Sequence, residues 1–251
     1  MSQSFSRGLL ILDMFTQERR TINLEEISSE LDISPITAYR YVKVLNDAGI
    51  LRFHDGQVSL SAKILRFVHL FMEQDKLTEI AKGPVSQLSM DLNETVALCQ
   101  FEAPDVVCTY RMESSSPLRT SFSIGQRMSI YAGAFSRAII AFLPAQERNS
   151  VIRQTKISSY TEHTIANLEV YLERLSQIRQ DGYDTSNQEV DPGIYAMAVP
   201  IFVSNRVVGC LGIAIPSARY TESRGPELLA KLQQASAHIS STMQSSDLLF
   251  S

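Results

Sequence analysis

Between Leu24 and Leu60 the apolar positions change rhythm twice. Leu24, Ile27 and Leu31 recur at three- and four-residue steps among glutamates and serines, the spacing of one face of a short helix. Asp32-Ile33 breaks that helix. Ser34 then offers an oxygen to the free amides of a second one, and Pro35 takes its first position, where a missing N–H costs nothing. Along this second helix Ala38, Tyr41, Val42 and Leu45 share one face, while Ile36, Tyr39, Arg40 and Lys43 share the opposite one. Asn46-Asp47-Ala48-Gly49 supplies the stop, and the period then falls to two: Leu51–His54 is expected to pair with Gln57–Leu60 across Asp55-Gly56. Ser6–Phe15, with Leu9, Leu10, Leu12 and Phe15 largely on one side, is expected to close the small core as the preceding helix.

Three helices and a hairpin in this order make a winged helix-turn-helix, placed at residues 1–61. A helix held at an angle by its predecessor can enter the major groove, its cations on phosphates and its outward side chains on base edges, while the hairpin reaches flanking backbone. Ser34, Pro35, Ile36, Thr37, Tyr39, Arg40, Lys43 and Arg52 are the candidate contacts with double-stranded DNA. A charged outward face also suits a merely solvated or protein-docking helix. Exposed Ile36 and Tyr39 beside Arg40 favour the groove, where they can meet thymine methyls and phosphates.

After the hairpin the pattern becomes helical again over Ala62–Glu73, with Ile64, Leu65, Val68, Leu70 and Phe71 too apolar to lie free. Residues 62–75 read as a connecting helix, and Gly83-Pro84 is expected to interrupt the helix after it. Thr95–Phe101, Val106–Arg111, Gly182–Gln188, Ile194–Val203 and Val207–Ile215 are strand-like runs bounded by Pro, Gly, Asn and Asp. Ser129–Phe142, Leu168–Asp181 and Leu228–Met243 have helical spacing instead. Residues 76–251 thus form a second domain with a curved antiparallel sheet and helices on its faces, and the fold class is α+β.

Composition narrows the function classes. With 251 residues, 44% of them hydrophobic, the chain can bury real cores. No apolar run approaches the roughly 20 residues of a membrane span, and Asp13 breaks the N-terminus before a signal peptide can be read, which places the protein in the cytoplasm. Cys99, Cys108 and Cys210 lie in apolar strand runs with no CxxC pair, so buried thiols are expected, with no metal site and no disulfide framework; a redox-sensing pair is the alternative. Eight cations balance eight acids over residues 1–72, so the net charge of −4 lies in the remainder. Within the first part the charges are sorted: Glu25, Glu26, Glu30 and Asp32 precede Arg40, Lys43 and Arg52. GxSxG, HExxH, GxGxxG and a Walker loop are all missing, and His54, His69, His163 and His238 are scattered, so no catalytic residues and no cofactor are expected.

ISPITAYRYVKVLNDAGIL resembles the winged helix of the isocitrate lyase regulator (IclR) family of bacterial transcription regulators. The likeness continues through IGQRMSIYAGAFSRAIIAFLP and through LEVYLERLSQIRQDGYDTSNQEVDPGIYAMAVPIF, where Ile-Arg, Gly-Tyr, Glu, Pro-Gly and Ala-x-Pro fall in the family's order. The resemblance spans nearly the whole chain. It implies a GAF-like effector domain, a repressor whose operator binding answers to a small molecule, and a homodimer that can pair into a dimer of dimers. Departures lie at Ser129, Tyr131, Gly133, Ser136 and Arg137, where the family usually has Pro, His, Thr or Ser, Gly and Lys.

The resemblance places the effector pocket at Ile130, Gly133, Ala134, Phe135, Asn187, Ala196, Gly212 and Ala214. Amides opening the helix after Gly133 are expected to hold a carboxylate. Ala196, Gly212 and Ala214 stand where relatives that bind small oxo-acids carry polar groups, so the wall is expected to be apolar and roomy and the ligand to be a carboxylate on an apolar body. Close packing by the small residues, with a purely structural second domain, is the competing reading.

Overall fold

A computed structural model describes residues 3–16, 18–118 and 123–248. The chain divides into two units, Met1–Asp75 and Lys76–Ser251. In the first, α1 (Gln3–Asp13) is followed by β1 (Thr21–Asn23), α2 (Leu24–Glu30), α3 (Pro35–Asp47), β2 (Leu51–His54), β3 (Gln57–Leu60) and α4 (Lys63–Gln74). Asn23 and Glu26 cap α2 reciprocally, each side chain bonded to the other's amide at 2.9 and 2.6 Å. Ser34 caps α3 through the Thr37 amide at 3.2 Å, with Pro35 in the first turn. Asp55 and Gly56 both take positive φ, 49° and 74°, the turn that matches the twist of a two-residue hairpin.

The core of this unit is Ile11, Met14, Ile22, Ile27, Ala38, Val42, Leu51 and Val58. Two expectations change here. Leu9 and Leu10 are exposed and α1 enters the core through Ile11, followed by Met14 just beyond its end, with Leu12 and Phe15 half-buried against it. Thr21–Asn23, too short to announce itself, adds a third strand to the hairpin on the outer edge of β3. No residue of α4 is buried within the chain, and Leu65, Phe67, Val68, Leu70 and Phe71 are all exposed.

The second unit begins with α5 (Lys76–Leu92), which runs unbroken through Gly83-Pro84. Leu77, Ala81, Val85, Leu88 and Leu92 form one buried stripe across that point, and its burial outweighs the single hydrogen bond that proline removes. Strands β4 (Thr95–Glu102), β5 (Asp105–Met112), β6 (Arg127–Met128), β7 (Asp184–Asn187), β8 (Ile194–Val203) and β9 (Arg206–Pro216) make one antiparallel sheet in the order β6-β5-β4-β9-β8-β7. Helices α6 (Ala134–Ile140), α7 (Ala145–Gln154), α8 (Leu168–Asp181) and α9 (Gly225–Leu248) complete the unit. Helix α6 starts later than its spacing suggested: Ser129–Gly133 is irregular chain.

The two faces of the sheet carry different sizes of side chain. Toward α5 and α9 point Val96, Leu98, Tyr195, Met197, Val199, Ile201, Leu211, Ile213 and Ile215. Toward α6 and α8 point Ala97, Cys99, Ala196, Ala198, Cys210 and Ala214. The methyl-sized face lets α6 sit close to the sheet, so all seven of its residues are buried.

Candidate functional site

Two regions gather the residues singled out by sequence. On α3, Ala38 and Val42 face the core, while Ile36 (74% exposed), Tyr39, Arg40 and Lys43 face outward together with Ser34 and Pro35; Thr37 is half-buried and its hydroxyl meets that of Ser34 at 2.9 Å. Arg52 stands exposed on β2. Tyr39 packs edge-on against Phe53 of the hairpin with ring centres 6.0 Å apart, which couples the outward face of α3 to the wing. None of Arg40, Lys43 and Arg52 is in an ion pair with a described residue. Arg19, by contrast, is tied to Glu30 at 2.6 Å. The cations of the α3 and wing surface therefore have no acidic partner among the described residues.

The second region is a cavity of about 160 Å³ at the start of α6. Its apolar lining is Met128, Ala132, Phe135, Val190, Ile194 and Ala196, and its polar lining includes Ser129, Ser136, Ser186 and Glu189. Gly133 enters α6 with φ of 87°, a conformation that suits glycine and directs its amide at Glu189 Oε2, 3.4 Å away. The next amide, of Ala134, donates to Ser186 Oγ at 3.2 Å. Of the amides that open this helix, where a carboxylate was expected, those of Gly133 and Ala134 are held by the protein's own side chains.

Behind the cavity lies a buried ionic cluster. Arg137 is fully buried and donates from Nε to Asp184 Oδ2 at 2.6 Å, from Nη2 to Glu189 Oε1 at 2.8 Å, and from Nη1 to Glu189 Oε2. Arg174 reaches the other Asp184 oxygen at 2.6 Å. Two guanidinium groups thus face two carboxylates, and the cluster is neutral. Glu189 is fixed further through its carbonyl, which accepts from the Thr164 hydroxyl at 2.6 Å. One polar atom stands apart: Ser136 Oγ is buried with no hydrogen-bond partner among the described residues.

Of the residues assigned to the pocket by sequence, Gly133, Ala134, Phe135 and Ala196 line the cavity. Ile130, Asn187, Gly212 and Ala214 do not. Ile130 is buried and its carbonyl accepts from the Tyr171 hydroxyl at 2.8 Å; exposed Asn187 points to Ser217. The space above Gly212 is filled by Phe135: a Cβ there would lie 2.5 Å from Phe135 Cε1. The expected roominess of the Ala196, Gly212 and Ala214 wall is corrected on this point, because the small residues of the sheet are matched by a large one on α6. Glu189 was visible in sequence only as the Glu landmark before Pro192-Gly193, and Ser136 only as a departure from a glycine.

The strand register brings the three cysteines into one row, Cys99 opposite Cys108 on one side and Cys210 on the other. All three are free and buried. Burial pushes the Cys99 thiol well up, and a hydrogen bond with Cys99 together with burial does the same to Cys108, so these sulfurs stay protonated and unreactive. Among the described residues no group of His, Cys, Asp and Glu is placed to hold a metal ion, and no helix is long and apolar enough to cross a membrane.

Comparison with known proteins covers both units. The profile of the bacterial transcriptional regulator IclR C-terminal domain matches residues 69–241, and that of the IclR helix-turn-helix domain matches residues 4–55. The HTH-type transcriptional regulator KipR of Bacillus subtilis is 30% identical over 93% of this chain and 94% of its own length. The HTH-type transcriptional repressor AllR of Escherichia coli is 25% identical over 89% of this chain and 83% of its own. An IclR homolog of Microbacterium hydrocarbonoxydans, crystallised in complex with 4-hydroxybenzoate, superposes with a TM-score of 0.81 at 19% identity, covering 97% of this chain and all of that one.

Proposed function

Since the chain belongs to the IclR family of bacterial transcriptional regulators, we propose that α3 and the wing read an operator whose occupancy is set by a small organic effector held beside α6. The protein is a helix-turn-helix regulator of transcription; the operator face and the effector site are the proposed parts. The observation that carries the operator face is the grouping of unpaired Arg40, Lys43 and Arg52 with exposed Ile36 and Tyr39. The expected sign is repression, as in the related AllR, and the place of action is the cytoplasm.

The carboxylate expected of the effector meets donors already occupied by Glu189 and Ser186, so the reading retains the apolar body alone. A void of about 150 Å³ is enough for one benzene ring. The cavity here is of that size, and Met128, Phe135, Val190, Ile194 and Ala196 supply the apolar contacts. To change operator occupancy the effector must bind one conformation of the assembled protein more tightly than another.

Two measurements test this. Arg40→Ala is expected to weaken operator binding and to reduce its salt dependence by about one unit of slope for each phosphate it no longer neutralises, with folding unchanged because Arg40 is exposed and outside the core. Salt titrations by fluorescence anisotropy read both; an unaltered slope and affinity would remove α3 from the interface. A two-fold protein is also expected, because one winged helix covers too little DNA for high specificity and paired half-sites need paired readers. The exposed apolar residues of α1 (Phe5, Leu9, Leu10) and of α4 (Leu65, Phe67, Val68) are the proposed seam. Sedimentation should give a dimer or a pair of dimers at micromolar concentration; a monomer on and off DNA contradicts it.

A further inference from the structure

We propose that the effector of this cavity is uncharged, offering hydroxyl, carbonyl or amide groups to Ser136 on an apolar body, because Glu189 already occupies the position where an anion would bind. This rests on the reading of the cavity as the effector site. Three observations meet here. Arg137, whose guanidinium lies behind the cavity, is filled on its outer edge by both Glu189 oxygens and on its inner edge by Asp184, and Arg174 is likewise held by Asp184. Glu189 is also the acceptor of the Gly133 amide. Lastly, the cation at the cavity rim, Arg127, is paired with Asp105 at 3.2 Å, while Asp191 adds a further negative charge to the lining.

A ligand carboxylate entering here finds the Gly133 and Ala134 amides and the Arg137 guanidinium taken, only neutral hydroxyls left to it, and two carboxylates nearby. It would have to expel Glu189 from a bidentate, charge-assisted contact, exchanging one ion pair for another and gaining little. An uncharged group meets no such barrier. Ser136 Oγ has neither donor nor acceptor among the described residues, and a buried hydroxyl left that way costs free energy that a hydroxyl or carbonyl of the ligand would recover. Ser129 and Ser186 each accept a backbone amide, from Ala132 and Ala134 at 3.2 Å, and keep their hydroxyl protons for a ligand acceptor. The cavity is therefore a site for a neutral molecule with its counter-ion built in.

The test uses the full chain and matched probes: benzyl alcohol and benzamide against benzoate, and 4-hydroxybenzyl alcohol against 4-hydroxybenzoate, titrated by calorimetry into wild type, Ser136→Ala and Glu189→Gln. In wild type the neutral member of a pair should bind at least about ten-fold more tightly than its acid. Ser136→Ala should weaken the neutral probe roughly three- to ten-fold, the loss of one hydrogen bond. Glu189→Gln keeps the shape and turns the neutral cluster into a cationic one, so the acids should gain about ten-fold or more while the alcohols change little.

Acids that bind wild type as tightly as their alcohols overturn the proposal, as does Glu189→Gln that leaves benzoate affinity where it was. If no probe binds wild type, the Glu189→Gln arm still decides: a saturable benzoate site appearing there supports the built-in counter-ion, and its failure to appear sinks it. A neutral probe that binds here yet leaves operator occupancy unchanged would overturn the regulatory reading of the cavity and leave its chemistry standing.

Discussion

Arg137→Met is expected to destabilise the second unit by about 3–5 kcal/mol, the range for removing one partner of a buried ion pair. Arg137 and Asp184 are both fully buried, and Glu189 is nearly so. Removing the guanidinium leaves Asp184 with Arg174 alone and Glu189 with the Gly133 amide alone. Burial already holds the Asp184 carboxyl above its ordinary value despite both guanidinium groups, and without Arg137 it must rise further. Between the unfolded and folded values the native chain binds a proton that the unfolded chain does not, so stability increases as pH falls through that window. The deficit of the variant should accordingly narrow on acidification. Arg137→Lys should recover only part of the loss, since an ammonium cannot reach Asp184 and both Glu189 oxygens with the fixed fork of a guanidinium. Urea unfolding at neutral and mildly acid pH reads all three effects; a loss below about 1 kcal/mol would mean that water or a rearranged side chain replaces Arg137 in the cluster.

Gly212→Leu is expected to cost about 1–3 kcal/mol or more in stability and to abolish ligand binding through Phe135. A Cβ at this position would lie 2.5 and 2.9 Å from the Phe135 ring and 2.8 Å from the Met197 carbonyl. The ring can swing, whereas Met197 belongs to β8 and is held by its pairing with β9. Phe135 lines the cavity, so the only side chain able to yield must yield at the expense of the ligand's space. Gly212→Ala should already show part of the loss, and Phe135→Leu in the same chain should restore some of it, a non-additivity expected of residues in contact. Thermal melts of the two single variants and the double variant measure the coupling. Simple addition of the two effects would show that the strand backbone, not the ring, takes up the strain.

What could be read from the sequence follows from how far apart the deciding residues lie. The hairpin and the cap of α3 were legible because each is decided within four residues: Asp55-Gly56 sets the turn, and Ser34-Pro35 sets the helix start. The strands β4, β8 and β9 were legible as apolar runs because both their faces are buried. β1 and β6, three and two residues long, offer too little pattern for any period. α7 is mostly polar and buries only Val151 and Ile152. Gly83-Pro84 misled because a local penalty was weighed without the stripe that overrides it.

The cavity was half legible for the same reason. The spacing started α6 too early and only the resemblance pointed to its opening at Gly133, while what fills that opening was not legible. Glu189 meets Arg137 across 52 residues of chain, and Phe135 meets Gly212 only once the sheet has formed. Small residues at Ala196, Gly212 and Ala214 say that something comes close, not whether it is a ligand or a phenylalanine. That distinction requires the third dimension.

The cysteine row has a use of its own. Its three sulfurs lie at the middle of the sheet, on the face that α6 covers, and none is exposed in the native fold. An alkylating reagent can therefore reach them only in molecules whose second unit has opened, and the rate of labelling reports on those openings. The domain carries a native clock for its own breathing, readable by mass at three thiols, with no fluorophore or engineered thiol to disturb what is being timed.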